Sequence, residues 1–145
     1  MEIKKLAKDD ILMALDLVLN VFMEYEVPDY SQQGIETFQK CIKDDQWLKS
    51  LEIFGAYMNN SLVGVIATRN NGNHIALFFV KGNYHRQGIG RRLFDRVIEN
   101  CTNNTITVNS SPYAIKIYRH LGFVETQTEQ LTDGIRYTPM SFTKI

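Results

Sequence analysis

The sequence predicts a mixed α/β domain in which hairpins and crossover connections feed one sheet, and three observations predict it. Apolar residues recur at helical spacing as far as Ile42. From Leu51 the period becomes that of extended chain, interrupted by turns rich in asparagine. After Val80 a loop leads directly into an amphipathic helix.

The elements follow in order. A short apolar entry at Ile3 and Leu6 precedes Asp9 and Asp10, either of which caps a helix whose Ile11, Ala14, Leu15, Val18 and Phe22 lie on one face. Pro28 stops that helix, and Ser31 caps a second one bearing Ile35, Phe38 and Ile42. Strands are predicted over 51–58, 62–68 and 74–80, with Asn59-Asn60-Ser61 and Asn70-Asn71-Gly72-Asn73 as the turns between them. The run Ile75 to Val80 is apolar throughout, which suits a central strand covered on both faces. A helix over 88–101 turns Ile89, Leu93, Val97 and Ile98 inward, and a short strand follows over 105–109. Ser111-Pro112 marks a helix start with proline at its first position, and Gly122 marks its stop. Two final strands, 123–127 and 135–143, flank the turn Thr132-Asp133-Gly134.

At 145 residues the chain suits one compact domain over 1–145, and an apolar share of 44% is enough to build its core. Sixteen basic residues cancel sixteen acidic ones, so no global field draws nucleic acid or an anionic membrane, and any phosphate binding must be local. No apolar run approaches the roughly 20 residues that cross a bilayer. Lys4, Lys5 and Lys8 interrupt the start where a signal peptide would carry its apolar core, and the two cysteines, Cys41 and Cys101, are too few for a disulfide scaffold. A cytoplasmic protein, monomer or homodimer, without a metal is the expectation.

The chemistry concentrates in His85-Arg86-Gln87-Gly88-Ile89-Gly90-Arg91-Arg92, where the buried strand turns into a helix. Two glycines let the backbone approach a ligand closely, the free N–H groups of the first helical turn point at it, and the arginines add paired donors. A pyrophosphate fits such a site. Position 93 is Leu, which excludes the dinucleotide Gly-x-Gly-x-x-Gly pattern, and no Gly-Lys-Ser/Thr follows for a nucleoside triphosphate.

Downstream lies Val108-Asn109-Ser110-Ser111-Pro112-Tyr113-Ala114-Ile115-Lys116-Ile117-Tyr118-Arg119-His120-Leu121-Gly122-Phe123. Together the two segments resemble the GNAT family, the Gcn5-related N-acetyltransferases. The first matches the family motif Arg/Gln-x-x-Gly-x-Gly/Ala after a strand, with His85 in the first place. The second matches a strand ending in Asn, then Ala, Tyr four residues later, and Gly-Phe. Pro28-Asp29-Tyr30-Ser31 and 134–140 are similar to small bacterial members. The resemblance implies a mostly antiparallel sheet with splayed central strands and about four helices.

It further implies that acetyl-coenzyme A donates an acetyl group to an amine, which attacks directly. The pantetheine arm would lie between the strands ending at Val80 and Asn109, on backbone groups of Phe79 and Val80. His85, Arg86, Gln87, Gly88, Ile89, Gly90 and Arg91 would hold the pyrophosphate, and Asn109 the amide arm or a water. Tyr118 matches the general acid that protonates the departing thiolate. For the base, His74 is the first candidate, with Glu24 and Glu26 as rivals. Glu24, Tyr25 and Tyr30, with Trp47 and Tyr137, would line the acceptor cleft. The alternative is a non-catalytic module that binds or senses acyl-coenzyme A.

Overall fold

The computed structural model describes residues 1–144. Eight strands form one sheet in the order β1-β2-β3-β4-β5-β8-β6, with β7 paired to β8. The strands are β1 (Glu2–Lys5), β2 (Glu52–Met58), β3 (Ser61–Arg69), β4 (His74–Val80), β5 (Thr105–Ser110), β6 (Val124–Glu125), β7 (Gln130–Thr132) and β8 (Ile135–Thr143). Five α-helices cover it: α1 (Ile11–Val21), α2 (Gln32–Ile42), α3 (Asp45–Lys49), α4 (Ile89–Asn100) and α5 (Ile115–Leu121). Every pairing is antiparallel except β4 with β5, which α4 joins as a crossover.

The sheet separates two cores. On one face α1, the turn that follows it and α2 pack Ala14, Leu17, Val18, Phe22 and Ile42 against Val65, Leu77 and Phe79. On the other, α4 and α5 pack Ile89, Leu93, Phe94 and Tyr118 against Ile66, Ile106 and Met140. Phe22 and Phe94 are essentially inaccessible, and each such aromatic stabilises the fold by about 2–3 kcal/mol through burial. The inward residues of α1 and α4 recur at three and four residues, so the helical period dictated both contacts.

Two irregularities shape the ends of the sheet and of α1. In β4, Leu77 pairs with Ala67 and Ile75 with Thr68, which leaves Ala76 as an extra residue, a β-bulge. The bulge reverses the alternation: Ile75 points to the α4 side, whereas Leu77 and Phe79 point to the α1 side. After α1 the chain widens into a π-helical turn, Phe22–Glu26, and then tightens into a 3-10 turn, Val27–Asp29, around Pro28.

Several expectations need correction. The first helix does not run unbroken to Pro28; its regular part ends at Val21. Proline does not open α5, because 111–114 form a turn in which Ala114 N donates to Ser111 Oγ at 3.2 Å, and the helix begins at Ile115. The strand expected over 123–127 shrinks to Val124–Glu125, and β1, α3 and β7 have no counterpart among the expected elements. Ser31 does cap α2, accepting from Gly34 N at 3.2 Å, and Gly122 ends α5 with φ +108°.

Gly34 and Gly134 meet backbone to backbone: a Cβ on either would collide with main-chain atoms of the other's segment. The close approach seats the start of α2 on the β7–β8 turn, where Thr37 Oγ1 donates to Asp133 O at 2.7 Å. Arg136 of β8 donates to Asp29 O at 3.0 Å and pairs with Glu129, which fixes the 3-10 turn against the hairpin.

Candidate active site

β4 and β5 pair at only two positions, His74 with Thr107 and Ile75 with Val108. At the next residue, Ala76, the bulge begins, and from there the strands diverge. Their other edges stay bonded, β4 to β3 as far as Val80 and β5 to β8 as far as Ser110. A strand-shaped gap with free backbone groups therefore opens between them.

Alternation along β4 tells which groups face that gap. Lys81 N donates to Val63 O of β3 at 2.9 Å, while Val80 O turns the other way and accepts from His85 Nε2 at 2.6 Å. Phe78 shares the gap-facing edge with Val80, and the backbone of Phe79 faces β3. The expected pair Phe79 and Val80 thus becomes Phe78 and Val80; the Phe79 side chain packs among Phe38 and the α1-side core.

At the end of the gap the chain forms a cradle. Arg86 and Gly88 both have left-handed backbone, φ +62° and +81°, and a Cβ on Gly88 would project into open space with no atom within 4 Å. The first intrahelical bond of α4 runs from Arg92 N to Gly88 O at 3.1 Å, so the preceding N–H groups find no carbonyl within the helix. Arg86, Gln87, Arg91 and Arg92 are exposed around this rim, and the buried Ile89 anchors it from below. Open space, free donors, helix dipole and guanidinium groups together fit a pyrophosphate. Gly90 lies against the Phe78 ring, where a Cβ would make ordinary contact at 3.4 Å.

His85 holds the cradle rather than a ligand through Nε2, and its ring packs on Tyr25 with centroids 5.0 Å apart. Tyr25 lies over Gly82, whose missing Cβ makes room for the phenol, and faces Tyr113 at 5.4 Å. Asn109 is exposed on β5, paired with Pro139 of β8.

Tyr118 projects from α5 against Phe78 and Phe123, with ring centroids 5.9 and 5.3 Å away. Its residue surface is 6% exposed, and no buried side-chain polar atom lacks a partner among the described residues. No hydrogen bond to another described residue engages its hydroxyl, so the ring is buried while the oxygen keeps some contact with solvent. Burial, and next the charge of Glu26, raise its pKa above the ordinary phenol value.

Glu26 is the other unusual acid. Burial pushes its pKa up to about 7, with the Ser111 hydroxyl working against the rise and Asp29 adding to it. Glu24 by contrast is exposed, beside a groove of about 240 Å³ lined by Asn20, Lys81 and Gly82. Tyr30 stacks against Phe22 at 5.5 Å, and burial together with Glu26 raises its pKa. His74 sits at the paired end of β4, its Nδ1 2.7 Å from Thr107 Oγ1, and burial and then Arg69 lower its pKa to about 4. Trp47 packs into the α1-side core, and the Tyr137 hydroxyl is 3.3 Å from Thr132 Oγ1. The fold brings Tyr25, Glu26, Tyr30, Tyr113 and Tyr118 to one end of the gap and leaves His74 at the other.

A family model described as an acetyltransferase (GNAT) domain matches residues 26–144. Among solved structures, a GCN5-related N-acetyltransferase from Rhodopseudomonas palustris superposes with a TM-score of 0.84 at 18% identity, covering 98% of this chain and 94% of that one. The PaiA N-acetyltransferase of Thermoplasma acidophilum, solved with coenzyme A, gives 0.70 at 19% identity, with 98% of each chain covered. Tetrahymena GCN5 gives 0.69 at 17% identity over 100% of this chain and 97% of its own. No curated protein sequence matches the chain.

Proposed function

Since the chain belongs to the GNAT acetyltransferase family, whose acetyl donor is acetyl-coenzyme A, we propose that it acetylates an amine by direct attack on the bound thioester. One observation carries the reading: the opening between β4 and β5 begins at the Ala76 bulge and ends at the Gly88 cradle. A strand-like arm with a pyrophosphate at one end is the ligand such a gap fits.

Bound acetyl-coenzyme A supplies an activated acetyl group. The gap-facing backbone of Phe78 and Val80 orients the arm, and an N–H of this edge donates to the carbonyl oxygen as negative charge develops. The N–H groups before Arg92, with Arg86 and Arg91, hold the phosphates. Tyr118 keeps its proton at the gap and gives it to the departing sulfur. Tyr25, Tyr30 and Glu24 border the acceptor side. The two free cysteines accord with a reducing compartment such as the cytoplasm.

Thermal unfolding with acetyl-coenzyme A, NADH and ATP tests the donor site. A ligand at 100 times its dissociation constant stabilises the folded state by about 2.7 kcal/mol, and acetyl-coenzyme A alone is expected to do so. A panel of amines followed by thiol release then tests transfer. Donor binding with no amine acetylated would favour a sensing module instead.

A further inference from the structure

The groove of about 240 Å³ beside the end of β4 is built from residues that have no part in holding the donor. One wall comes from α1 and the turn after it, where Leu17 and Val21, and likewise Asn20 and Glu24, stand four residues apart and so share a helix face. Leu17 and Val21 are buried and make an apolar floor, whereas Asn20 and Glu24 are exposed above it. The facing wall is Lys81, Gly82 and Asn83, and its backbone is fixed: Lys81 N donates to Val63 O at 2.9 Å, and Lys81 O accepts from Tyr84 N at 2.9 Å. Tyr25 sets the spacing of the walls, because its hydroxyl rests where Gly82 lacks a Cβ. Glu24 and Lys81 thus bring opposite charges to opposite walls, and among the described residues neither forms an ion pair. Asn83 accepts from Gln87 Nε2 through its main-chain oxygen at 3.1 Å, which leaves its side-chain amide for a ligand.

Resting on the acetyl-transfer reading above, we propose that this groove recognises the acceptor and that the acceptor is a free diamino acid. Lys81 and the Asn83 amide take its carboxylate, Glu24 and the Asn20 amide take its α-ammonium, and the amine on its side chain is the one acetylated.

One acid and one base on facing walls match a zwitterion. A simple diamine offers Lys81 only a like charge, a carboxylate without an amine offers the same to Glu24, and a lysine within a peptide chain carries neither head charge. The ammonium on Glu24 is held in its charged form by the carboxylate and has no lone pair to attack with, so the nucleophile is a second nitrogen of the same molecule. Size agrees with that division, since the groove equals the liquid volume of roughly eight water molecules, room for a head group whose chain leads out. Tyr25 joins the groove to the gap: its hydroxyl rests on Gly82, and its ring faces that of Tyr113, just beyond β5, at 5.4 Å. A short run of methylenes laid along this ring carries the second amine toward the end of the gap.

The test begins on the whole chain without donor. Calorimetric titration with ornithine is compared with two of its analogues, putrescine, which lacks the carboxylate, and δ-aminovalerate, which lacks the α-amine. Ornithine should bind about tenfold tighter than either, the equivalent of one charge-assisted hydrogen bond. Equal affinities, or tighter binding of putrescine, overturn the proposal. Lys81→Met should bring ornithine down to the affinity of putrescine, and Glu24→Gln should bring it down to that of δ-aminovalerate. Both positions are exposed, so circular dichroism should show an unchanged fold, and wild-type affinity for ornithine in both folded variants refutes the assignment; the analogue series on the wild type decides without them. With acetyl-coenzyme A added, NMR of the product should place the acetyl group on the side-chain nitrogen, and acetyl on the α-nitrogen contradicts the assigned orientation. Failure of the wild type to bind acetyl-coenzyme A sinks the donor reading instead, and the donor-free titrations still judge the groove.

Discussion

His85 Nε2 lies 2.6 Å from the carbonyl oxygen of Val80, so the first residue of the glycine-bearing loop is tied to the last residue of β4. A carbonyl only accepts, and the proton therefore sits on Nε2. This bond orients the final gap-facing backbone group of the strand and closes the loop onto it. A family position usually filled by Arg or Gln is thus occupied by a residue that braces the cradle from inside.

His85→Ala should therefore weaken acetyl-coenzyme A binding by about fivefold, the equivalent of one hydrogen bond of roughly 1 kcal/mol, with little loss of melting temperature. His85→Gln, which keeps a donor, should recover most of the affinity. Calorimetry on the two variants decides it; equal affinity in wild type and His85→Ala would show that the brace has no bearing on the cofactor.

Gly88→Val tests the cradle itself. The backbone there has φ +81°, where an L side chain costs about 1–2 kcal/mol, yet the new side chain would meet no protein atom within 4 Å. The domain should stay folded with a modestly lowered melting point, and acetyl-coenzyme A affinity should drop at least a hundredfold as the valine fills the phosphate space. Titration calorimetry together with circular dichroism separates the two effects.

Tyr118→Phe removes a hydroxyl that no described residue engages while keeping the ring between Phe78 and Phe123. Stability should hold, since the ring packing is kept and no hydrogen bond within the protein is lost. Turnover should fall by about 10² to 10⁴ with donor affinity nearly unchanged, because the hydroxyl acts as the thiolate forms. Thiol release and calorimetry on one preparation suffice; an unchanged rate would assign the proton to water.

His74 yields a prediction in pH. Its folded pKa of about 4 lies below the ordinary 6.5, so between these values the unfolded chain binds the proton and the folded chain does not. The stability His74 contributes is present above 6.5 and is lost as pH falls toward 4. His74→Gln should accordingly lose less stability than the wild type between pH 7.5 and 5, measured as the shift of the urea midpoint. Parallel shifts in both proteins would mean that the imidazole protonates freely in the folded state.

Most of what the sequence discloses here is local. The cradle is written in consecutive residues, and the turn to α4 needs only Gly88 and the apolar spacing after it. The strand run Ile75 to Val80 is legible as buried on both sides, but the bulge at Ala76 is not, because it arises from pairing with β3 rather than from any residue in β4. It is this bulge that moves the free edge from Phe79 to Phe78. The short strands β1, β6 and β7 have too few residues to show a period and exist through their partners β2 and β8. Glu24 and Glu26 look alike in sequence, and only the turn that carries them leaves one exposed and draws the other partly inward.

That turn bears on how such a chain diverges. The widened helix between Val21 and Val27 holds one more residue than an α-helical path would. Removing a single codon there would restore regular helix and shift the side chains of the turn itself, while the helix before it and the chain after it keep their register. The strands that cradle the donor would not move. The end of α1 can therefore be recast by one insertion or deletion without a substitution anywhere along β4 or β5.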